Sequence, residues 1–212
     1  MNRFNDFITD LRNKLAKPLP GADSQLKMAG MRRIMEHGRM KVPANAKKGG
    51  VLVLFYPYQE EIFIVLMKRT EYPGVHSGQI SFPGGGWEPG DQDMTETALR
   101  ETEEEIGVKR NLVKHVGFLS ELFIPPSNFL VTPVVGFADH RPDFLPDPVE
   151  VDKIVEIPVK ELFRNENRQN KEITIYPDIR FEVPCFYVDG NVIWGATAMM
   201  LNELVDVLTQ ES

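Results

Sequence analysis

Apolar residues recur at helical spacing near the start of the chain, at Phe4, Phe7, Ile8, Leu11 and Leu15, and Pro18-Leu19-Pro20-Gly21 ends the pattern. A second helical stretch is predicted over residues 24–37, from Ser24 to about His37. The pattern then turns strand-like. Lys47-Lys48-Gly49-Gly50 reads as a loop feeding two apolar runs, 51–56 and 62–67, joined by Pro57-Tyr58-Gln59-Glu60-Glu61. A short run, 79–82, leads into a glycine-rich turn, Pro83-Gly84-Gly85-Gly86, and then a helix over about Met94–Ile106. Asp93 stands where an N-cap belongs, Glu96 falls at the third helical position, and Gly107 suits the left-handed residue beyond the end.

Strands follow at 113–123 and 129–137, around a Pro125-Pro126-Ser127-Asn128 turn, and at 151–157, trailed by a one-turn helix near 159–163. Polar residues 164–171 read as a loop, 173–176 and 181–188 as strands, Asp189-Gly190 as a hairpin turn, and 194–208 as a final helix. There is no internal repeat and no linker long enough to divide the chain. One α/β domain is therefore expected over 46–212, a mixed β-sheet flanked by helices, preceded by a helical extension over 1–45. The N-terminal helices and the apolar final helix are surfaces on which a homodimer could form.

Composition narrows the class. The 212 residues are 42% hydrophobic and 26% charged, ordinary globular usage, which argues against wholesale disorder. A formal net charge of −7 lacks the broad positive field that nucleic-acid or anionic-membrane binding needs. The N-terminal segment has no apolar core of a secretory signal, and the longest apolar run, 51–56, is far too short to span a bilayer. The lone Cys185 excludes an internal disulfide and lies in an apolar stretch, so it reads as a buried thiol. A soluble cytoplasmic protein is expected. Its charge is also local. Residues 88–105 hold eight carboxylates and a single arginine, which accounts for the whole of the −7.

That acidic stretch contains the candidate chemistry, Arg100-Glu101-Thr102-Glu103-Glu104-Glu105-Ile106-Gly107-Val108. At roughly 100° per residue, Glu101, Glu104 and Glu105 fall on one helix face, while Thr95, Leu99, Thr102 and Ile106 share another suited to packing on a sheet. Like charges at this spacing repel, and a divalent cation with oxygen preference, Mg²⁺ or Mn²⁺, would remove the repulsion. A glutamate-rich face alone is usually just solvated. Here Phe82-Pro83-Gly84-Gly85 lies upstream and an arginine precedes the first carboxylate.

Together these residues resemble the Nudix hydrolase signature, G-x5-E-x7-R-E-U-x-E-E-x-G-U with U a bulky apolar residue. Arg100-Glu101, Glu104-Glu105, Gly107 and Val108 match its tail, and Thr102 stands at the first U after Arg100-Glu101. The upstream glutamate is replaced. Counting back from Arg100 reaches Gln92, whereas counting forward from Gly85 reaches Asp91, with one extra residue before the arginine. That longer spacing resembles the coenzyme A pyrophosphatase branch, as do Arg69-Thr70, His76, Gly78, Ile80, Phe82-Pro83-Gly84-Gly85, Glu88 and Asp91 in register. Pro73 and Gly74 stand where that branch has Leu-Arg. Val131-Thr132-Pro133-Val134-Val135-Gly136 and Trp194-Gly195-Ala196-Thr197-Ala198 also look like this branch, although Trp194 is as readily a core residue.

The resemblance implies a Nudix fold, with a mixed sheet sandwiched between helices, and hydrolysis of a nucleoside diphosphate derivative with Mg²⁺ or Mn²⁺. It assigns the metal to Glu101 and Glu105, and makes Glu104 a further ligand or the base that orients water. Arg100 would brace a motif carboxylate, and Glu150 is a candidate base from a later loop. Arg69 and His76 would contact a phosphate or the 3′-phosphoadenosine part of the ligand. An ion pair for Arg69 and a strut for the glycine turn for His76 are the alternatives. Gly78, Gly84 and Gly85 line the substrate in this reading, and glycine there answers a need for positive φ or close approach. The implied substrate is CoA or an acyl-CoA, giving 3′,5′-ADP and a 4′-phosphopantetheine species. ADP-ribose or a dinucleotide, or a non-catalytic nucleotide sensor, are the other readings.

Overall fold

A computed structural model describes residues 2–36, 41–71, 76–175 and 179–211. Helix α1, Asn2–Leu15, follows the predicted spacing and buries Phe4, Ile8 and Leu11. The second predicted helix is broken instead of continuous: α2 spans Gly21–Gln25, a 3₁₀ turn Leu26–Met28, and α3 Met31–Glu36. His37 lies outside the described residues. Tertiary contacts explain the break. Ser24 accepts from Asn202 Nδ2 at 3.0 Å, Gln25 Nε2 donates to Glu203 at 2.8 Å, and Ala29 turns extended just before Gly30, a poor helix former.

Strand β1 runs over Lys47–Tyr58, so the predicted loop 47–50 is in fact its first third. Glycine here marks crowding. A Cβ on Gly49 would lie 2.6 Å from the Gly85 carbonyl oxygen, and one on Gly50 2.6 Å from that of Met94. Strand β2, Glu61–Arg69, follows a two-residue turn, because Pro57 and Tyr58 stay in β1 and only Gln59 and Glu60 take positive φ (48° and 63°). Next come β3, Ile80–Ser81, and β4, Gly84–Gly86. The expected glycine turn is thus a strand, paired antiparallel with β1 through Gly49↔Gly86, Gly50↔Gly85 and Val51↔Gly84. Helix α4, Met94–Ile106, occupies its predicted span.

The predicted strand 113–123 divides into β5, Lys114–Phe118, and β6, Leu122–Ile124. Its ladder bulges between His115 and Gly117, and Ser120 leaves the sheet to bond Glu203 and Gln25. Strands β7, Phe129–Phe137, and β8, Val151–Pro158, lie as expected, and a 3₁₀ turn spans Val159–Phe163. The polar stretch 164–171 is only partly loop: β9 spans Arg168–Ile175 and, among the described residues, pairs with β10, Ile179–Val188, alone. Strand β11, Asn191–Trp194, closes a hairpin through Asp189-Gly190, and α5 spans Gly195–Thr209 with Trp194 as its N-cap.

The main sheet runs β3-β2-β1-β7-β5, with β4 on β1, β6 on β7 and β8 on β2. β1 is its axis. It pairs parallel to β7 along its length, and β3 and β4 wedge in where β1 and β2 diverge. Both faces of β1 are covered. Leu52, Leu54 and Tyr56 meet the α4 side, while Val53 and Phe55 meet α1 and α5, which explains the near-continuous apolar run. α5 is buried along most of its length, its apolar residues covered by the chain's own core. Cys185 is buried, and burial raises its thiol above the ordinary range. No described helix is long and apolar enough to cross a membrane.

The N-terminal helices are tied to this core by Glu203, which is fully buried. Its carboxylate accepts from Gly21 N (3.2 Å), Ser120 N (3.1 Å) and Gln25 Nε2 (2.8 Å). Hydrogen bonds to a charged acceptor contribute about 1.5–3 kcal/mol each and are not additive, so Glu203→Ala is expected to destabilise by about 3 kcal/mol or more. Urea unfolding checks this; an unchanged midpoint would show that the extension is held elsewhere.

Candidate functional site

Helix α4 is fixed at both ends by its own sequence. Asp93 Oδ1 accepts from Glu96 N at 2.9 Å, Glu96 Oε2 accepts from Gln92 N at 2.7 Å, and Gly107 ends the helix at φ 74°. It packs on β1 across Gly50, and its buried stripe is Thr97, Ala98, Thr102, Glu105 and Ile106. The three motif glutamates therefore do not share one solvated face. Glu105 is 2% exposed, Glu101 17% and Glu104 57% at the side chain, a gradient from core to solvent. Thr95 and Leu99, expected on the packing face, are only half-buried.

Arg100 organises the polar side of this helix. Its Nε donates to Asp91 Oδ1 (2.9 Å), Nη2 to Asp91 Oδ2 (2.9 Å) and to the Gly86 carbonyl (2.8 Å), and Nη1 to Glu101 (2.9 Å) and Glu104 (3.1 Å). All five guanidinium hydrogens are thereby engaged within the protein. Asp91 is buried and also accepts from Thr97 Oγ1 (2.9 Å) and Glu88 N (3.1 Å). The Arg100 hydrogen bonds hold its carboxyl well below the usual range. Gln92 is exposed, so the carboxylate facing the motif arginine is Asp91.

Glu105 is held from two sides. Its Oε1 accepts from Arg69 Nη2 at 3.0 Å and its Oε2 from Gly84 N at 2.7 Å, while Arg69 Nη2 also reaches the Gly84 carbonyl at 3.2 Å. Arg69 is therefore paired with a buried carboxylate, not with a surface one. Gly85 lies directly beneath Glu101: an added Cβ would fall inside that carboxylate. Gly84 takes φ +148°, and its Cβ would lie 2.5 Å from Val51 Cα. Burial pushes Glu105 up to about 7, with Arg69 and the Gly84 N–H opposing and Glu101 and Glu150 adding repulsion. Burial likewise raises Glu101, against Arg100, with Glu104 and Glu150 again repelling.

Glu150 thus lies close enough to act on both motif carboxylates. Its loop is docked on the site by Asp147 N donating to Glu105 O (2.9 Å), Leu145 N to Ile106 O (2.9 Å) and Thr70 N to Glu150 O (3.1 Å). Glu150 itself is exposed. Among the described residues the carboxylates do not already form a closed metal cage, since arginines hold them. Their chemistry nevertheless fits Mg²⁺ or Mn²⁺: hard oxygens, mutual repulsion, and an exposed Glu104 on a single contact that can turn without uncovering a buried group.

Among the described residues no hydrogen bond joins His76 to this cluster. It takes φ +75°, its Nδ1 lies 3.1 Å from Gln79 Oε1, and its carbonyl accepts from Gln79 N at 3.2 Å, which makes it a strut of its own turn. Gly78 supplies that turn with φ +65°. Pro73 and Gly74 lie outside the described residues. Trp194 meets Phe181 edge-on, with ring centroids 6.2 Å apart, at the foot of α5. Two groups escaped sequence reasoning, Thr97 and the Gly86 carbonyl. Only Thr97 left a trace, as a small polar residue on the packing side of α4.

The NUDIX domain model matches residues 46–178. The chain is 36% identical over 170 residues to Nudix hydrolase 22, chloroplastic, of Arabidopsis thaliana, covering 77% of this chain and 56% of that protein. It therefore spans little more than half the length of that plant relative. It is 28% identical over 198 residues to the uncharacterized Nudix hydrolase NudL of Yersinia pestis (strain Pestoides F), covering 93% of each. Among solved structures, the Nudix hydrolase RenU from M. smegmatis superposes with a TM-score of 0.55 at 14% identity, covering 76% of this chain and 85% of that one, a likeness of fold.

Proposed function

Because this chain belongs to the Nudix family, we propose that it is a metal-dependent hydrolase that cleaves the diphosphate of coenzyme A or an acyl-CoA. Water adds to one phosphorus and the bridging P–O bond breaks, giving 3′,5′-ADP and a 4′-phosphopantetheine species. The observation that carries this reading is the Glu105 ion pair with Arg69. It joins the helix motif to the upstream pattern that resembles the CoA-cleaving branch.

In this reading Glu101, Glu105 and Glu104 would hold Mg²⁺ or Mn²⁺. When bound, the metal supplies charge against the diphosphate oxygens and acidifies water. Glu104, the exposed member, would orient the attacking water, and Glu150, close enough to repel Glu101 and Glu105, would accept its proton. Arg100 acts through Asp91, Glu101 and Glu104 as a positioning residue, since its donors are spent on the protein. Arg69 and Gly84 fix Glu105, and in this reading Arg69, His76, Gly78, Gly84 and Gly85 would line the substrate. In this reading residues 1–45 would be an extension to a catalytic domain over 46–212, and the enzyme would act in the cytoplasm.

The test is incubation of the purified chain with CoA and Mg²⁺ or Mn²⁺, with products separated by chromatography. Cleavage is expected, lost on addition of EDTA and restored by excess metal. Robust turnover of ADP-ribose without cleavage of CoA would overturn the substrate, an outcome that the Pro73-Gly74 replacement would explain. Metal-independent thermal stabilisation by nucleotides with no turnover would instead mark a sensor.

A further inference from the structure

Glu150 is an exposed loop carboxylate, and among the described residues no hydrogen bond or ion pair reaches its side chain. Its place beside Glu101 and Glu105 is therefore set by its backbone, and that backbone is held from two sides. Within the loop, Asp147 gathers three amides. Val149 N donates to its Oδ1 (2.8 Å), and Glu150 N (3.2 Å) and Val151 N (2.8 Å) donate to its carbonyl. Asp147 N in turn donates to Glu105 O (2.9 Å), which pins the loop to the end of α4.

The other side is one residue, Thr70, just beyond the end of β2. Its N donates to Glu150 O at 3.1 Å, its Oγ1 donates to Val149 O at 2.9 Å, and its carbonyl accepts from Gly78 N at 3.2 Å. Thr70 thus joins the Glu150 loop to the turn of His76 and Gly78. Among the described residues its hydroxyl is the only side-chain group from outside the loop that bonds residues 147–150. The β2–β8 ladder shifts register between Lys68 and Arg69, so that Arg69 stands opposite Val151 and Thr70 meets Glu150. Bulges of this kind re-aim the residues beside them. Two consecutive residues therefore hold two carboxylates, Arg69 by an ion pair to Glu105 and Thr70 through the backbone that carries Glu150.

We propose that Thr70 is a positioning residue for the hydrolysis: its amide and hydroxyl fix Val149 and Glu150, and so set where the Glu150 carboxylate stands against Glu101 and Glu105. The proposal rests on the reading of Glu150 as the base in diphosphate hydrolysis, whichever diphosphate is the substrate. Thr70→Val keeps the branched shape and removes the hydroxyl. It should lower kcat by about threefold to tenfold, the rate equivalent of one hydrogen bond, and leave KM unmoved. Thr70→Ser, which returns the hydroxyl, should recover most of that loss. Glu150→Gln alone should lower kcat by about a hundredfold. In the Glu150→Gln background Thr70→Val should lower kcat no further, a coupling that a merely structural role would not produce. Amide hydrogen exchange gives a readout free of turnover: residues 149–151 should exchange faster in Thr70→Val than in the natural protein or Thr70→Ser.

An unchanged kcat in Thr70→Val, a rise in KM at constant kcat, or an undiminished further loss on top of Glu150→Gln would overturn the positioning role while hydrolysis stands. Full turnover in Glu150→Gln would show that Glu150 is not the base, and the role of Thr70 would fall with it. If the natural protein turns over no diphosphate, the hydrolase reading fails separately. Faster exchange at 149–151 in Thr70→Val would then still establish Thr70 as the clamp of this loop, and unchanged exchange would remove the clamp as well.

Discussion

Glu105→Gln and Glu104→Gln are each expected to lower turnover by about a thousandfold or more, the scale on which a positioned acid–base group or charge stabiliser acts. The two should fail for different reasons. Glu105 is buried between Arg69 and the Gly84 N–H, and a glutamine offers only one acceptor to those two donors. Either Arg69 or Gly84 is left facing an amide NH₂. Glu105→Gln should therefore also unfold at lower temperature. Glu104 is 57% exposed and, among the described residues, ion-pairs with Arg100 alone, so Glu104→Gln should lose activity at unchanged stability. Glu103, between them in sequence, pairs with Lys109 and Arg110 on another face, and Glu103→Gln should retain turnover. Initial rates at saturating metal, paired with melting curves, check all three. Near-normal activity in the Glu104 or Glu105 variant would overturn its role.

The contrast among these glutamates shows where sequence reading works and where it stops. The caps of α4 are local chemistry, with Asp93, Glu96 and Gly107 all within one helix length, and the sequence places them correctly. Periodicity also separates Glu103 from the motif trio. It cannot tell that Glu105 sits at the buried edge of its face, because that depends on what packs there, namely Gly84 of β4 and Arg69 of β2. The glycines mislead for a related reason. Gly49-Gly50 and Gly84-Gly85-Gly86 carry the composition of loops but are two paired strands pressed together, where a Cβ on Gly49, Gly50 or Gly84 would strike neighbouring backbone and one on Gly85 the Glu101 carboxylate. Long-range hydrogen bonds break the helix predicted over 24–37, and nothing local announces that Gln25 will meet Glu203. The choice between Asp91 and Gln92 is undecidable by spacing, since counting from the glycine and from the arginine gives different answers. The Arg100 fork settles it.

That fork sets the second large effect. Asp91→Asn should destabilise the protein by about 3–5 kcal/mol at neutral pH, the usual result of removing one member of a buried ion pair, since Arg100 would keep its charge and lose the carboxylate that takes two of its five hydrogen bonds. The effect has a pH signature. Arg100 holds the Asp91 carboxyl below its ordinary value, so the folded-state pKa lies below the unfolded one near 4. The stabilisation is therefore complete above about pH 4 and is lost as pH falls toward the folded value. Urea midpoints of the natural protein and Asp91→Asn should converge on acidification; a gap that stays constant would show that the ionised pair is not its source. Catalysis should separate in the same way. Every donor of Arg100 is turned toward Asp91, Gly86, Glu101 or Glu104, so Arg100→Lys should lower kcat by about a hundredfold through misplaced carboxylates and leave KM nearly unmoved. A rise in KM at constant kcat would mean that Arg100 lets go of these partners to grip the substrate, and the positioning role would fall.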